Sequence, residues 1–465
     1  MSVPSEPVVA VVSLLHELHD GSAARLIGQT PVLTRTLERL ALCETIDATA
    51  VLCWQDQQAA AEVAAEGLAD VVTVGPRQAD RAVNLVRKSQ AWGDGWRGGP
   101  LGTCPADRGW HAAAANAIAD ATDAAFLYAV DASFAFLDPE LTDALVRHAR
   151  EVIKKNEPLH FTPAPPGLVG HLVARATASV LAAEPDARRQ HPGRYLSYLP
   201  DNPRLDPIGF AACKSGPPWL THAGVDCRVD DEARAAWAAH VPADADARAL
   251  CRLRPPERQD VTIDLTTRRW SRPIWLADAA DRDLSLAALE KVDVAGCRVS
   301  FAGVGDPLCH PHFKEAVAIV RERGATAVHV ETDLLGPDDA ALLVAAEVDV
   351  ISVHLPAMTA ATYANVMRHN GMATALGSLA RLVASPVCCV VVPTFVKLAA
   401  NVGEMEAWYD QWLRLASAAV LRGPDSFNLH PASDVASLAA APLDRTDRQP
   451  IGRVVSPLAS LKQAA

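Results

Sequence analysis

Aromatic residues are scarce in this 465-residue chain, with Phe, Trp and Tyr together making 5% of it. The interior must therefore be filled by Val, Leu, Ile and Ala. Apolar runs of membrane-spanning length, roughly 20 residues, are missing, so no membrane partner is expected. The apolar run Val8–Leu15 is short, lacks a basic leader and runs into His16-Glu17, which excludes it as a targeting segment. A cationic surplus is missing too: 43 Lys+Arg stand against 55 Asp+Glu, a net charge of -12. Nucleic acid is not an expected partner, because phosphate backbones need clustered cations. Ten cysteines, at 43, 53, 104, 213, 227, 251, 297, 309, 388 and 389, are too sparse for a disulfide scaffold and form no CxxC. That usage fits a reducing cytoplasm with buried, inert thiols. What is present is an ordinary hydrophobic fraction of 50%, which excludes general disorder. The length calls for about two or three domains, because single cores stop growing at roughly 250–300 residues.

The first half alternates strand and helix patterns. Val8–Leu15, Ala48–Trp54, Val71–Val74 and Ala125–Val130 read as strands buried on both faces. Val32–Leu42, Gln57–Leu68 and Leu141–Lys154 read as helices, the last capped by Asp138 with Pro139 at its first turn. The alternation predicts a doubly wound, Rossmann-like α/β domain. Residues 86–110, crowded with Trp and Gly, predict a long loop of the lid or binding kind. Pro-rich stretches follow at 162–167 and 198–207. The expected domains are 1–240, a linker over 241–258, a second domain over 259–430 and an irregular tail over 431–465.

In the second domain the predicted strands are Val261–Leu265, Arg298–Phe301, Ala327–Glu331, Val348–Leu355, Val387–Val392 and Ser417–Leu421. The predicted helices are Leu284–Val292, His312–Glu322, Asp338–Ala346, Thr359–Met367, Met372–Val383 and Asn401–Leu415. Six such repeats predict a parallel β/α barrel, partial or full, with its chemistry at the C-terminal strand ends.

Two constellations stand out in the first half. Gly21-Ser22-Ala23-Ala24-Arg25 follows a buried strand, and amides in a small-residue loop can approach phosphate oxygens. Asp131 ends another buried strand, where a carboxylate is well placed for a divalent metal. Together they resemble nucleotidyltransferases of the cytidylyltransferase type, with their strand–GSxRLPGK–helix opening and GDxPLxDP segment. Gly21, Ser22 and Arg25 match the opening, Asp131 the metal aspartate, and Leu137-Asp138-Pro139 the helix start. Arg228-Val229-Asp230-Asp231-Glu232 resembles the later segment holding a second metal ligand, here Asp230. The resemblance implies Mg²⁺ at Asp131 and Asp230, and phosphate at Gly21, Ser22 and Arg25. The phosphate-binding Pro-Gly-Lys is absent, and Val130 replaces the glycine before the aspartate.

A third constellation is Gly303-Val304-Gly305-Asp306-Pro307 after a strand, followed later by Ser352-Val353-His354 and by Thr359 and Tyr363. It resembles the radical S-adenosylmethionine barrel, whose second strand ends in GGGEP and whose fourth reads SISVSLDG. The family's first strand carries three cysteines that hold a four-iron cluster. Here Thr266-Thr267-Arg268 matches the leader, every cysteine is gone, and Arg269 and Trp275 stand where the outer two would be. No iron–sulfur cluster is expected. Gly303, Gly305, Asp306, Ser352 and His354 are the implied remnant of an S-adenosylmethionine pocket. The two halves together resemble a degenerate spiro-SPASM protein. His329, Glu331, Asp333 and His354 offer a competing divalent-metal set, since a period of two places the first three on one face.

The leading expectation is nucleotide or nucleotide-sugar binding or transfer by the first domain, joined to a barrel that has lost its cluster. The alternatives are a non-catalytic binding or scaffold pseudoenzyme, and a radical enzyme with an unconventional cluster site. The sequence names no catalytic residue and no protein partner beyond a nucleotide or small-molecule ligand.

Overall fold

The computed structural model describes residues 6–17, 20–77, 80–92, 100–152, 157–196, 212–221, 223–257, 259–276, 279–385, 389–416, 418–423 and 453–455. The chain is mixed α/β with parallel sheets, and it divides into two compact units, Met1–Glu257 and Arg258–Ala465. Among the described residues no helix is long and apolar enough to cross a membrane.

The first unit is built on seven strands: β1 Val8–Ser13, β2 Ala48–Cys53, β3 Asp70–Thr73, β4 Phe126–Asp131, β5 Leu159–Phe161, β6 His171–Ala174 and β7 Ala212–Cys213. Their order is β3-β2-β1-β4-β6-β5-β7. The apolar run of β1 is explained by its two faces. Val8, Ala10 and Val12 pack into one core, while Val9 and Val11 pack into another. The first core is covered by α1 Val32–Ala41, α2 Gln58–Ala65 and α5 Pro139–Val152. The second is covered by α3 Arg81–Trp92, α4 Ala112–Thr122 and α6 Arg175–Ala183. Asp138 caps α5 as expected, accepting from the Leu141 amide at 3.0 Å.

The sheet is mostly parallel, with one strand reversed. β6 runs antiparallel to both β4 and β5. The sequence reading missed β5 and β6 because a Pro-rich turn separates two short strands. It also missed α3, whose residues 86–92 fall in the stretch where a loop was expected. The linker narrows as well. Ala247 and Leu250 of α8, Ala247–Leu253, are buried in the first core, and the Asp138 carboxylate accepts from the Ala247 amide at 3.1 Å. The Pro-rich 198–207 stretch lies outside the described residues.

The second unit holds β8 Asp260–Ile263, β9 Arg298–Phe301, β10 Ala327–Thr332, β11 Val350–His354, β12 Val390–Val396, β13 Val420–Arg422 and β14 Arg453–Val455. They are ordered β13-β12-β11-β10-β9-β8-β14, and every neighbouring pair is parallel. Six follow the predicted order. β14 is a correction: the tail expected to be irregular returns three residues to the edge beside β8. Among the described residues no pair joins β13 to β14, so the sheet is open there. The predicted helix Leu284–Val292 shrinks to a single turn, Leu286–Leu289.

Gly305 sits where the backbone after β9 passes close to the residues after β8. An added Cβ would overlap the Thr266 carbonyl. Gly305→Ala is therefore expected to cost about 1–3 kcal/mol or more through forced backbone movement. Urea unfolding of the full chain checks this; an unchanged midpoint would contradict the close approach.

Candidate functional site

The C-terminal ends of β1 and β4 lie side by side, with Ser13 paired to Asp131. From β1 the chain winds outward through β2 and β3, and β4 then starts the other wing. Ligands of open α/β sheets bind at such a switch point, outside the carboxyl ends of the strands.

Three segments converge there. Asp131 ends β4 fully buried, and its Oδ1 accepts from the Ser133 amide at 2.9 Å. The Val229 amide donates to the Ser133 carbonyl at 2.9 Å, which brings Asp230 alongside. The turn Pro105–Gly109 packs on β4 so tightly that a Cβ on Gly109 would overlap the Val130 backbone. That turn places Arg108 between the two acids. Its Nε forms an ion pair with Asp131 Oδ2 at 2.9 Å, and its Nη1 donates to Asp230 Oδ2 at 3.1 Å. The two carboxylates matched to a metal pair are thus together, and a guanidinium occupies the place between them. Burial opposes the charge of Arg108, but Asp131 and Asp230 outweigh it and raise its pKa. Mg²⁺ does not fit this donor set while Arg108 holds one oxygen of each acid.

The loop matched to phosphate is used internally as well. Gly21–Ala24 forms one helical turn whose Ser22 amide and hydroxyl both donate to the Glu17 carboxylate, the hydroxyl at 2.6 Å. An internal acid therefore lies where an anion was expected. Burial and the nearby Asp131 charge push Glu17 up to about 7. Arg25, matched to phosphate binding, pairs instead with the exposed Glu232 at 3.3 Å. Such a surface pair contributes little.

Beside Arg108 a cavity of about 140 Å³ opens, lined by His16, Asp80, Val86, Trp110, His111 and His191 among others. This is small against the roughly 300–1,000 Å³ of ligand pockets, so it takes one ring or one phosphoryl group, with the rest of a ligand outside. His16 is 2% exposed, and its ring faces the Arg108 backbone without a well-aligned hydrogen bond; the Trp110 indole N–H is unpartnered. Burial, with the Arg108 charge beside it, lowers the His16 pKa to about 3, so the ring is neutral. Sequence reasoning named neither Arg108 nor His16, since both sit in stretches without periodic pattern.

In the second unit the predicted remnant pocket is filled by the chain itself. Asp306 is fully buried; its Oδ1 accepts from the Leu308 amide at 3.0 Å. Its Oδ2 accepts from the Thr332 hydroxyl at 2.9 Å and the Asp333 amide at 2.8 Å. Burial, then the Asp333 charge, pushes Asp306 up to about 7. Gly303 and Gly305 pack against Asp264 and Thr266. Ser352 bonds His329 Nε2 at 2.8 Å, and Ser300 bonds its Nδ1 at 2.7 Å.

His354 contacts Asp333 through Nδ1 at 3.0 Å and Glu331 through Nε2 at 2.6 Å. Burial opposes its charge, yet the two carboxylates raise its pKa to about 9. An imidazolium with both nitrogens engaged is not a metal ligand, so the four-residue metal set is not assembled as one. Arg269 Nε pairs with Asp333 at 2.9 Å, and Arg422 donates to Glu331 at 2.7 Å. The buried Trp275 ring meets the His354 ring edge-on at 5.7 Å. Arg269 and Trp275, aligned with the outer cluster cysteines, thus both pack on His354. No thiol stands at those positions, and the residues present do not fit an iron–sulfur cluster.

No protein-family model and no curated protein matches the chain. Among solved structures, a cytidylyltransferase from Leptospira borgpetersenii serovar Hardjo-bovis is similar over 52% of this chain and 91% of its own, at 11% identity and a TM-score of 0.36. Streptococcus suis SuiB bound to S-adenosylmethionine is similar over 43% of this chain and 50% of its own, at 11% identity and a TM-score of 0.33. Methylornithine synthase is similar over 38% of this chain and 56% of its own, at 8% identity and a TM-score of 0.30.

Proposed function

We propose that the chain is a binding protein rather than a transferase. In this reading the first unit takes a small phosphorylated ligand, a nucleotide or nucleotide sugar, without a divalent metal. The observation that carries the reading is Arg108, buried between Asp131 and Asp230 beside the switch-point cavity. The fixed guanidinium takes the place of a cation between the two acids and leaves no exchangeable coordination site there. His16 and the Trp110 indole N–H offer polar atoms toward a ligand group seated in the cavity. The second unit is a scaffold whose interior charges satisfy one another, and it holds neither a cluster nor an adenosyl ligand.

A thermal-shift panel tests this on the full chain. Nucleoside triphosphates, nucleotide sugars and S-adenosylmethionine are each added in EDTA and in Mg²⁺. At least one nucleotide should raise the melting temperature equally in both buffers, and S-adenosylmethionine should not. Pyrophosphate release from a triphosphate and a sugar phosphate in the presence of Mg²⁺ would overturn the binding-only reading. So would brown, iron-loaded protein after anaerobic reconstitution, for the second unit.

A further inference from the structure

Cys104, Asp107 and His171 come together beneath the turn that carries Arg108, and their donor atoms all lie within 4.8 Å of one another. Cys104 Sγ is 3.2 Å from Asp107 Oδ2 and 3.4 Å from His171 Nδ1. His191 Nδ1 lies 3.1 Å from the same Asp107 oxygen. We propose that Cys104, Asp107 and His171 bind a zinc ion, with His191 held against the Asp107 ligand.

Zinc takes tetrahedral sets of thiolate, imidazole and carboxylate at about 2.0–2.3 Å, which implies ligand–ligand edges of about 3.3–3.6 Å. Of the two contacts of Cys104, that to His171 at 3.4 Å lies inside the range and that to Asp107 at 3.2 Å just below it. Soft thiolate with imidazole selects zinc over hard cations. All four side chains are buried, at 0%, 0%, 6% and 2% exposure in chain order, as in closed structural sites.

Support around the ligands matches the pattern of outer-shell partners. The His191 Nε2 donates to the Arg188 carbonyl at 3.0 Å, and its Nδ1 meets the Asp107 carboxylate at 3.1 Å, so the ring buttresses that ligand from outside. The Gly193 amide holds the other Asp107 oxygen at 2.8 Å, and the Cys104 amide holds Oδ2 at 2.7 Å. Binding displaces the thiol proton to solvent, and the metal–sulfur bond replaces the S–H donation to Asp107.

The ligands come from the turn at Pro105–Gly109 and the start of β6, and their partner His191 from the approach to the turn Pro192–Leu196. One ion would tie them together and fix the segment bearing Arg108. This inference does not depend on what the cavity binds.

The full chain, expressed with zinc and purified without chelator, should carry about one zinc per chain by elemental analysis. Exchange with Co²⁺ should give tetrahedral d–d bands and a thiolate-to-cobalt charge-transfer band. Cys104→Ser should abolish that band, and Cys251→Ser should retain it. Wild-type protein with neither zinc nor a cobalt–thiolate band overturns the proposal, as does a band that survives Cys104→Ser. If Cys104→Ser does not fold, zinc protection of wild-type Cys104 from alkylation decides: protection reversed by chelator supports the site, and an alkylation rate indifferent to zinc contradicts it.

Discussion

Arg108→Met should destabilise the full chain by about 3–5 kcal/mol, because it leaves Asp131 and Asp230 buried beside each other without their shared cation. The surroundings give those charges little relief. Arg228 is already held by Asp226 through two contacts, at 2.9 and 2.7 Å. Arg234 divides its charge between Asp226 at 3.0 Å and Asp230 at 3.5 Å. Glu17 adds another acid nearby. The double variant Arg108→Met with Asp131→Asn should recover much of the loss, since it removes the one excess carboxylate while Asp230 keeps its contact with Arg234. Hydrogen exchange by mass spectrometry over 126–131 and 226–238 reads both outcomes. Equal protection in wild type and Arg108→Met would remove the ion-pair account of this site.

The second large effect lies in the other unit. Asp333→Asn should cost about 3–5 kcal/mol, because Arg269 and the His354 imidazolium lose the carboxylate they share. The same network gives the unit a pH profile. The folded pKa of His354, about 9, exceeds its ordinary value of 6.5. Its contribution is complete below about pH 6.5 and is lost as pH rises through 9, on the order of 3 kcal/mol. Asp333 is depressed to about 2, mainly by Arg269 working against burial, so its contribution is present above about pH 4 and lost below. Asp306 runs the other way. Its folded value of about 7 makes it favourable at low pH, and that contribution is lost as pH rises through 7. Between about pH 8 and 9 the slope therefore belongs mainly to His354. Amide exchange of peptides over 327–354 should speed up in that window in wild type, after correction for intrinsic rates. In His354→Gln the corrected rates should be flat. A flat wild-type profile would mean His354 is not held as an imidazolium.

The sequence reading recovered what depends on periodicity and lost what depends on convergence. β1 and β4 announced themselves because both faces of each are covered, so their runs are apolar throughout. The likeness of the 228–232 segment to a known motif brought Asp230 to attention, and the structure does place it beside Asp131. Nothing in the sequence marks Arg108 as their partner. It lies in a Gly- and Trp-rich stretch without periodic pattern, in the turn Pro105–Gly109. The phosphate loop was misleading for a related reason. Gly21 and Ser22 satisfy the motif, yet Glu17, five residues before Ser22, takes its donors. Cys104, Asp107, His171 and His191 spread over a long stretch of chain, so no spacing rule joins them. In the second unit the absence of cysteine from the first strand was legible at once, and it is why no cluster was expected there. That Arg269 and Trp275 fill the space around His354 followed only from the packing.

The account stands most directly on metal independence at the switch point. Calorimetric titration of the best nucleotide from the panel into the wild-type chain should give the same Kd in EDTA and in excess Mg²⁺, within about twofold. Binding that appears only with Mg²⁺, or tightens about tenfold with it, would place the metal where Arg108 now stands and contradict the account.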